Sequence, residues 1–560
     1  MKKHFKSLYL KSVLFIAICT AISQTTFAQA PNIILGRPTD TSITASIMFN
    51  QSMVYYFEYG IASATYTHQT NQFTSTANVP DEIDFKNLLP NTKYYYRVQY
   101  RAVTSGGGFT PSSEYSFHTQ RTPGSSFTFT VEADEHLYDK KGVKNMYNVT
   151  LGNEAADKPD FMLSLGDIFG DDHYPFTITS GGLDSLHRDY RPFLGSICHS
   201  IPFYICLGNH EGENDYYQSF NAPNNLCDWG TQWRKYYYPN PYPNGFYTGN
   251  TTNEPFGIGT PENYYAWTWG DALFVVLDVY RTECHDSLVP KPQNWNWTLG
   301  LNQYNWLKST LENSTAKFKF VFAHHLRGQG RGGVALATVN EWGGYQNTTS
   351  GQYTFPTYRP GWAKPIHQLF KDTKVTMFVQ GHDHVFAHEV LDSITYISTP
   401  MAADSTYEIG MLANAAAYVS DTVDGTGHLR FTVSSSCVKM DYVKAYLPKD
   451  TLGIHKNREI GFSVTLGTCA VQPNGINTLT QHDEINIYPN PSNSSFTISK
   501  SGSDKMNVVE LTNVMGQVIL RKEMVQNLIE VNTSEMPDGI YFVNIETATN
   551  KVVKKLVVNH

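Results

Sequence analysis

A chain of 560 residues is too long for one hydrophobic core, and its length suggests three or four units. With 42 Lys and Arg against 50 Asp and Glu, the net charge of −8 excludes the basic field of a general nucleic-acid binder, so no nucleic-acid-binding surface is expected. Charged residues are scarce at 16 % and aromatic ones plentiful at 14 %, a balance that leans toward β-rich extracellular proteins.

Lys2, Lys3 and Lys6 precede an apolar stretch, and the small residues Thr26 and Ala28 then suit signal peptidase. Residues 1–28 read as a secretory signal peptide cleaved after Ala28. The apolar stretch is short for a membrane anchor, and no later segment is long enough to cross a bilayer, so no transmembrane segment is expected in the mature protein. Export permits disulfides among Cys198, Cys206, Cys227, Cys284, Cys437 and Cys469, but spacing alone does not reveal their pairing. None forms a Cys-x-x-Cys pair, so a cysteine-based zinc site is not expected.

Residues 31–120 alternate apolar and polar side chains at period two in TSITASIMF, KYYYRVQY and SEYSFHT, which predicts a small β-sandwich. The stretch Leu88–Val98, LLPNTKYYYRV, resembles the end of a fibronectin type III-like domain. Its Leu-x-Pro-x-Thr-x-Tyr pattern is similar to that of the domain preceding purple acid phosphatases. RTPGSS, from Arg121 to Ser126, reads as a linker.

Residues 125–467 change character. Apolar strands alternate with helical patterns such as LNQYNWLKSTLEN, the signature of a layered α/β domain. Each of five strands runs into residues able to bind a metal. FTFTV leads to Asp134 and His136, DFMLSL to Asp167, and IPFYICL to Asn209, His210 and Glu211. KFKFVFA leads to His324 and His325, and KVTMFVQ to His382, Asp383 and His384. In layered α/β proteins the ligand crevice lies beyond the carboxyl ends of the strands, so five such ends gather their side chains at one rim. Glycine beside Asp167, Asn209 and His382 lets backbone and metal approach closely. One such motif is weak evidence; five in order predict a dinuclear site. Carboxylate, amide oxygen and imidazole favour iron, manganese or zinc, and Asp167 is placed to bridge.

These motifs resemble the calcineurin-like metallophosphoesterases and, with the N-terminal domain, their purple acid phosphatase branch. The resemblance implies a four-layer α/β/β/α sandwich. It also implies Asp134, His136 and His384 on one metal, Asn209, His324 and His382 on the other, and Asp167 shared. The implied reaction is hydrolysis of a small-molecule phosphomonoester by a metal-bridging hydroxide, with His210 as general acid and phosphate contact. A phosphodiesterase or nucleotide pyrophosphatase using the same site is the alternative, followed by a non-enzymatic surface adhesion protein. His325 is a candidate substrate contact or a residue supporting the ligands from behind, and Arg327, or Arg331 in the same glycine-rich stretch, is a candidate substrate contact; Asp171, Asp172 and His173 read as a solvated loop and His388 as structural. The aromatic stretch Trp229–Tyr247 reads as a wall or lid beside the pocket, and Glu341–Gln346 as a segment of the same kind.

Residues 468–482 are polar and turn-rich, a second linker. Beyond them, residues 483–560 carry Tyr488-Pro489-Asn490-Pro491, Met515-Gly516-Gln517 and a final Val552–Val558 strand. These resemble the Por (type IX) secretion sorting domain. The likeness implies export by the type IX machinery as a partner, then release or attachment at the cell surface.

Purple acid phosphatases carry a tyrosine three positions after the second motif's aspartate, where this chain has Gly170. The iron-loaded protein is therefore expected to lack a tyrosinate-to-iron band; a purple sample would overturn this reading.

Overall fold

The computed structural model describes residues 30–138, 142–168, 177–218, 221–282, 293–326, 331–349, 351–409, 418, 421–451, 453, 455–469, 485–500, 505–514, 516–524, 526–547 and 551–560. The expected signal peptide, Gly170, the Asp171–His173 loop, Cys284, Arg327, Met515 and most of the second linker lie outside them. The described residues up to Cys469 form one compact unit and those from Ile485 on a second.

Among the described residues, two mixed sheets build the middle of the chain. The first is six-stranded. Phe203–Ile205, Phe161–Ser164 and Phe127–Glu132 run parallel, then Gly427–Val433, Cys437–Lys444 and Ile460–Gly467 continue antiparallel. The second is eight-stranded, with Ala272–Val276, Phe318–Phe322, Met377–Gln380 and Ile394–Ser398 parallel at its centre. These parallel strands are nearly continuous apolar runs because both faces are covered. Phe127, Phe129 and Val131 enter the layer between the sheets. On the other face of the same strand, Tyr147 of helix Lys144–Asp157 donates to Glu132 (2.8 Å).

The inter-sheet layer is aromatic. Phe129 stacks on Phe431 with ring centroids 4.5 Å apart, and Phe274 and Phe320 of the second sheet lie 5.1 and 5.4 Å from it. Helices Lys144–Asp157 and Ser180–Gly195 pack on the outer face of the first sheet. Helices Gly300–Glu312 and Ile366–Asp372 pack on that of the second. The result is the four-layer α/β/β/α sandwich.

The N-terminal region is all-β. Strands Asn32–Gly36, Ile43–Met48 and Asp81–Phe85 face a second sheet built on Met53–Gly60 and Lys93–Ala102, over a core that includes Tyr55, Phe57 and Tyr96. The Leu88–Tyr94 motif closes a turn: the Leu89 N–H donates to the Tyr94 hydroxyl (2.8 Å), and Thr92 donates to the Pro90 carbonyl (2.8 Å). A tyrosine bonding back to upstream backbone is the corner device of such sandwiches. This region packs tightly on its neighbour. Buried Arg191 donates to the Ser46 carbonyl (2.7 Å) and to that of Tyr237.

Part of the aromatic stretch expected to wall the pocket sits at that seam instead. Tyr237 and Tyr238, at the end of helix Leu226–Tyr237, share a buried cluster with Ile34. Glu341 and Trp342 are likewise structural: Glu341 pairs with Arg359 (2.7 Å) and Trp342 packs on Phe378. A disulfide joins Cys437 to Cys469, while Cys198, Cys206 and Cys227 are free and buried.

The second unit holds a three-stranded sheet (Ile485–Tyr488, Ser495–Lys500, Leu528–Asn532) and a four-stranded one (Val518–Glu523, Met506–Asn513, Gly539–Thr547, Lys551–Val558). They enclose a core that includes Phe496, Val509 and Val543.

Since Phe129 touches rings from both central sheets, Phe129→Ala is expected to cost about 3–5 kcal/mol. A denaturant unfolding curve with an unchanged midpoint for the first unit would contradict this account of the core.

Candidate metal centre

The parallel strands of both sheets end at the same rim. Phe127–Glu132, Phe161–Ser164 and Phe203–Ile205 of the first sheet deliver Asp134 and His136, Asp167, and Asn209 and His210. Phe318–Phe322 and Met377–Gln380 of the second deliver His324, then His382 and His384. All eight residues are at most 7 % exposed. Glycine makes the approach possible. A Cβ on Gly208 would stand 2.3 Å from Asp167 Oδ1, and one on Gly381 would stand 2.8 Å from Asp134 Oδ2.

The donors form three overlapping groups: Asp134, His136 and His384; Asp167, His324 and His382; and His136, Asp167 and His210. In the first, the Nε2 atoms of His136 and His384 are 3.1 Å apart, and Asp134 Oδ1 lies 3.9 and 3.6 Å from them. In the second, His324 Nε2 lies 3.1 Å from both Asp167 Oδ2 and His382 Nδ1. Asp167 Oδ2 is also 3.7 Å from His136 Nε2 and 4.0 Å from His210 Nε2, so its carboxylate is common to two of the groups and reaches His136 of the third. Metal–ligand bonds of about 2.0–2.1 Å at tetrahedral or octahedral angles place neighbouring ligand atoms about 2.8–3.4 Å apart. Buried Asp134 Oδ1, which has no hydrogen-bond partner among the described residues, also fits a missing cation. The donor set suits a pair of divalent or trivalent ions of the iron, manganese or zinc kind.

The backbone is bent to hold these groups. Asp134, His136, Asp167, His382 and His384 all have positive φ, between 45° and 69°. Each such non-glycine residue costs about 1–2 kcal/mol, and strain of this kind persists only where surrounding contacts impose it. Those contacts are visible. Asp167 Oδ1 accepts the His210 N–H (2.8 Å), Asp134 Oδ2 accepts the His382 N–H (2.8 Å), and the Asp134 N–H reaches the Gly166 carbonyl (3.1 Å). The Leu165 carbonyl holds His324 Nδ1 at 2.8 Å, which leaves Nε2 aimed into the site.

One residue that the sequence reading names without a role is a support. Glu211 is buried, and its carboxylate accepts N–H bonds from Gly208, Asp167 (3.1 Å) and Ile168 (2.9 Å), locking the second motif onto the third. The only signal was its place after Asn209 and His210.

Protons stand in for missing charge. Burial pushes Asp134 up to about 7 against the pull of His324, and burial with Asp167 lifts Glu211 to about 7. Burial pulls His324 down, but Asp167 and Asp134 outweigh it and raise the imidazole to about 9. Burial also opposes charge on Asp167, yet His324 and His210 overcome it and hold that carboxyl well below its usual range.

The other candidates separate. His325, expected either behind the ligands or at the substrate, is fully buried, with Nε2 3.6 Å from Asp383 and its ring against that of His382 (4.9 Å). Arg331 donates to the His382 carbonyl. His388 pairs with Asp421 (3.3 Å) away from the donors. Arg327 lies outside the described residues.

Residues 127–386 match the model of the calcineurin-like phosphoesterase family, and residues 486–559 that of the secretion system C-terminal sorting domain. Solved structures that share the fold include the following two. PhoD is 17 % identical, with a TM-score of 0.56 over 79 % of this chain and 91 % of its own. The purple acid phosphatase PPD1 of yellow lupin (Lupinus luteus) is 15 % identical, with a TM-score of 0.50 over 78 % of this chain and 74 % of its own. Among curated proteins none matches.

The metal-free site carries a sign for pH. His324 holds its proton to about 9 when folded but only to about 6.5 when unfolded, so its stabilisation is complete below 6.5 and lost as pH rises through 9. Asp134 and Glu211, raised to about 7, act in the same direction at lower pH. His382, held below its usual value, opposes them only below about 6.5. Chelator-treated protein is therefore expected to lose stability between pH 7 and pH 9, by about 1.4 kcal/mol per pH unit for each proton released. Manganese loading should flatten the profile. A metal-free melting temperature that stays level over this range would refute the assignment.

Proposed function

Because this chain carries a calcineurin-like phosphoesterase domain, we propose that it is a metal-dependent phosphoric ester hydrolase acting on phosphomonoesters, exported to the cell surface or beyond. The observation that carries the reading is the meeting of carboxylate and imidazole groups from two sheets in clusters that overlap through His136 and Asp167. A retired phosphatase kept as an adhesion protein has no need of five strained backbone positions at those residues.

Asp134, His136 and His384 would hold one ion, and Asn209, His324 and His382 the other, with Asp167 between them. When bound, two such ions supply a water nucleophile at neutral pH and positive charge for the phosphoryl oxygens. The protein's own contribution is placement. Glu211 fixes the Asp167 backbone N–H and the His210 N–H fixes the Asp167 carboxylate, so that little reorganisation is needed. His210 takes the role of general acid: its Nε2 stands 4.0 Å from Asp167, its ring lies edge-on to His136, and it is 6 % exposed. A proton delivered there to the leaving oxygen lets the alcohol depart neutral. The C-terminal sorting domain supports export through the type IX machinery, in keeping with a signal peptide at residues 1–28.

The test is hydrolysis of an aryl phosphomonoester beside the matching diester, with protein loaded in turn with manganese, iron and zinc. The monoester is expected to be cleaved faster, and Asp167→Asn to remove activity. His210→Ala is expected to lower kcat about 10²–10⁴-fold with metal content unchanged. Faster diester cleavage moves the assignment to a phosphodiesterase on the same site. No cleavage under any metal ends the enzymatic reading.

A further inference from the structure

We propose that Asp383 is a positioning residue that sets both metal clusters at once, by clamping the short loop from which each takes a histidine; the proposal rests on the metal-centre reading above. The loop is Gly381–His384. His382 belongs to the Asp167–His324 cluster and His384 to the Asp134–His136 cluster, so Asp383 is the covalent link between them. Both neighbours sit at positive φ, 69° and 58°, a conformation that an unsupported loop leaves.

The support converges on the Asp383 side chain, which is fully buried. Its Oδ2 accepts the Gly332 N–H (2.7 Å) and the Tyr418 hydroxyl. Its Oδ1 lies 3.6 Å from His325 Nε2 and 3.8 Å from Arg331 Nη1. Arg331 also grips the carbonyl of His382, and the His325 ring packs on the His382 ring. The backbone completes the clamp: the Asp383 N–H reaches the Gly381 carbonyl (2.8 Å), and the Gly381 N–H reaches the His324 carbonyl (2.9 Å). One carboxylate thus ties the loop to residues following another donor strand, to Gly332 and to Tyr418. The His325 ring packs on that of His382, a member of one cluster. This asymmetry separates a positioning role from general stabilisation.

Groups that orient metal ligands typically account for 10–100-fold in metal affinity. Manganese(II) binding to the full chain by equilibrium dialysis, with electron paramagnetic resonance of the bound ions, reads each cluster. Wild type is expected to take up two ions with an exchange-coupled spectrum. Asp383→Ala should weaken both ions at least tenfold. His325→Gln should weaken one ion only and convert the coupled spectrum to that of an isolated ion. Asp383→Asn keeps the volume and one acceptor oxygen, and Tyr418→Phe removes a single hydroxyl. Both are expected to fold, to melt within a few degrees of wild type and to lose affinity less than Asp383→Ala, which keeps the test valid should the alanine variant not fold. Wild-type affinity for both ions in Asp383→Ala and Asp383→Asn overturns the proposal. Equal loss of both ions in His325→Gln overturns the asymmetry on which it stands. Failure of wild type itself to bind manganese overturns the metal-centre reading instead.

Discussion

The contact on which the rest depends is the one Asp167 makes across the two sheets. Its carboxylate meets His324 of the second sheet at 3.1 Å and the backbone of His210 in the first at 2.8 Å. The His136–Asp167–His210 group lies within the first sheet, but the other two clusters each draw on both sheets. Asp134 and His136 need His384, and Asp167 needs His324 and His382. The aromatic layer holding the sheets face to face therefore acts on the site: rings such as Phe129, Phe274 and Phe431 set the separation at which donors from both sides converge. Packing density and metal geometry are one constraint here, because a densely packed interior shifts in steps rather than smoothly.

Convergence has a cost, carried by the backbone. Five donors in the left-handed region sum to several kcal/mol of strain, a sizeable share of what a domain has to spare. The hydrogen bonds around them explain how it persists. Glu211 takes three backbone N–H groups and Asp134 takes a fourth from His382, so polar groups at the rim are satisfied by the carboxylates they position. In the absence of cations, protons on Asp134, Glu211 and His324 balance the remaining charge. Metal binding is thus coupled to proton release, as it is wherever ligands must be deprotonated.

The flanking regions serve the centre differently. The N-terminal sandwich is welded on through Arg191 and through Tyr96, whose hydroxyl bonds the His199 carbonyl (2.6 Å). It braces the outer helices rather than the donors. The C-terminal sandwich is a separate compact unit with its own core, as suits a module read by export machinery.

Much of this was legible in the sequence, because strand chemistry is local. Alternation at period two, apolar runs closed by glycine, and a metal donor after each run need no knowledge of distant contacts, and they placed the fold class and the candidate donors. What lay beyond reach was set by residues far apart in the chain. Glu211 looks like any glutamate in a loop until Asp167, Ile168 and Gly208 turn their N–H groups toward it. His325 stands beside a donor in sequence, yet its ring faces Asp383 on another strand's loop. Tyr237 and Tyr238 read as a pocket wall, but burial against Ile34 placed them at a seam. Sequence determined which chemical groups each strand end offers. Tertiary structure alone decided which of them face one another, because that depends on the pairing and spacing of two sheets.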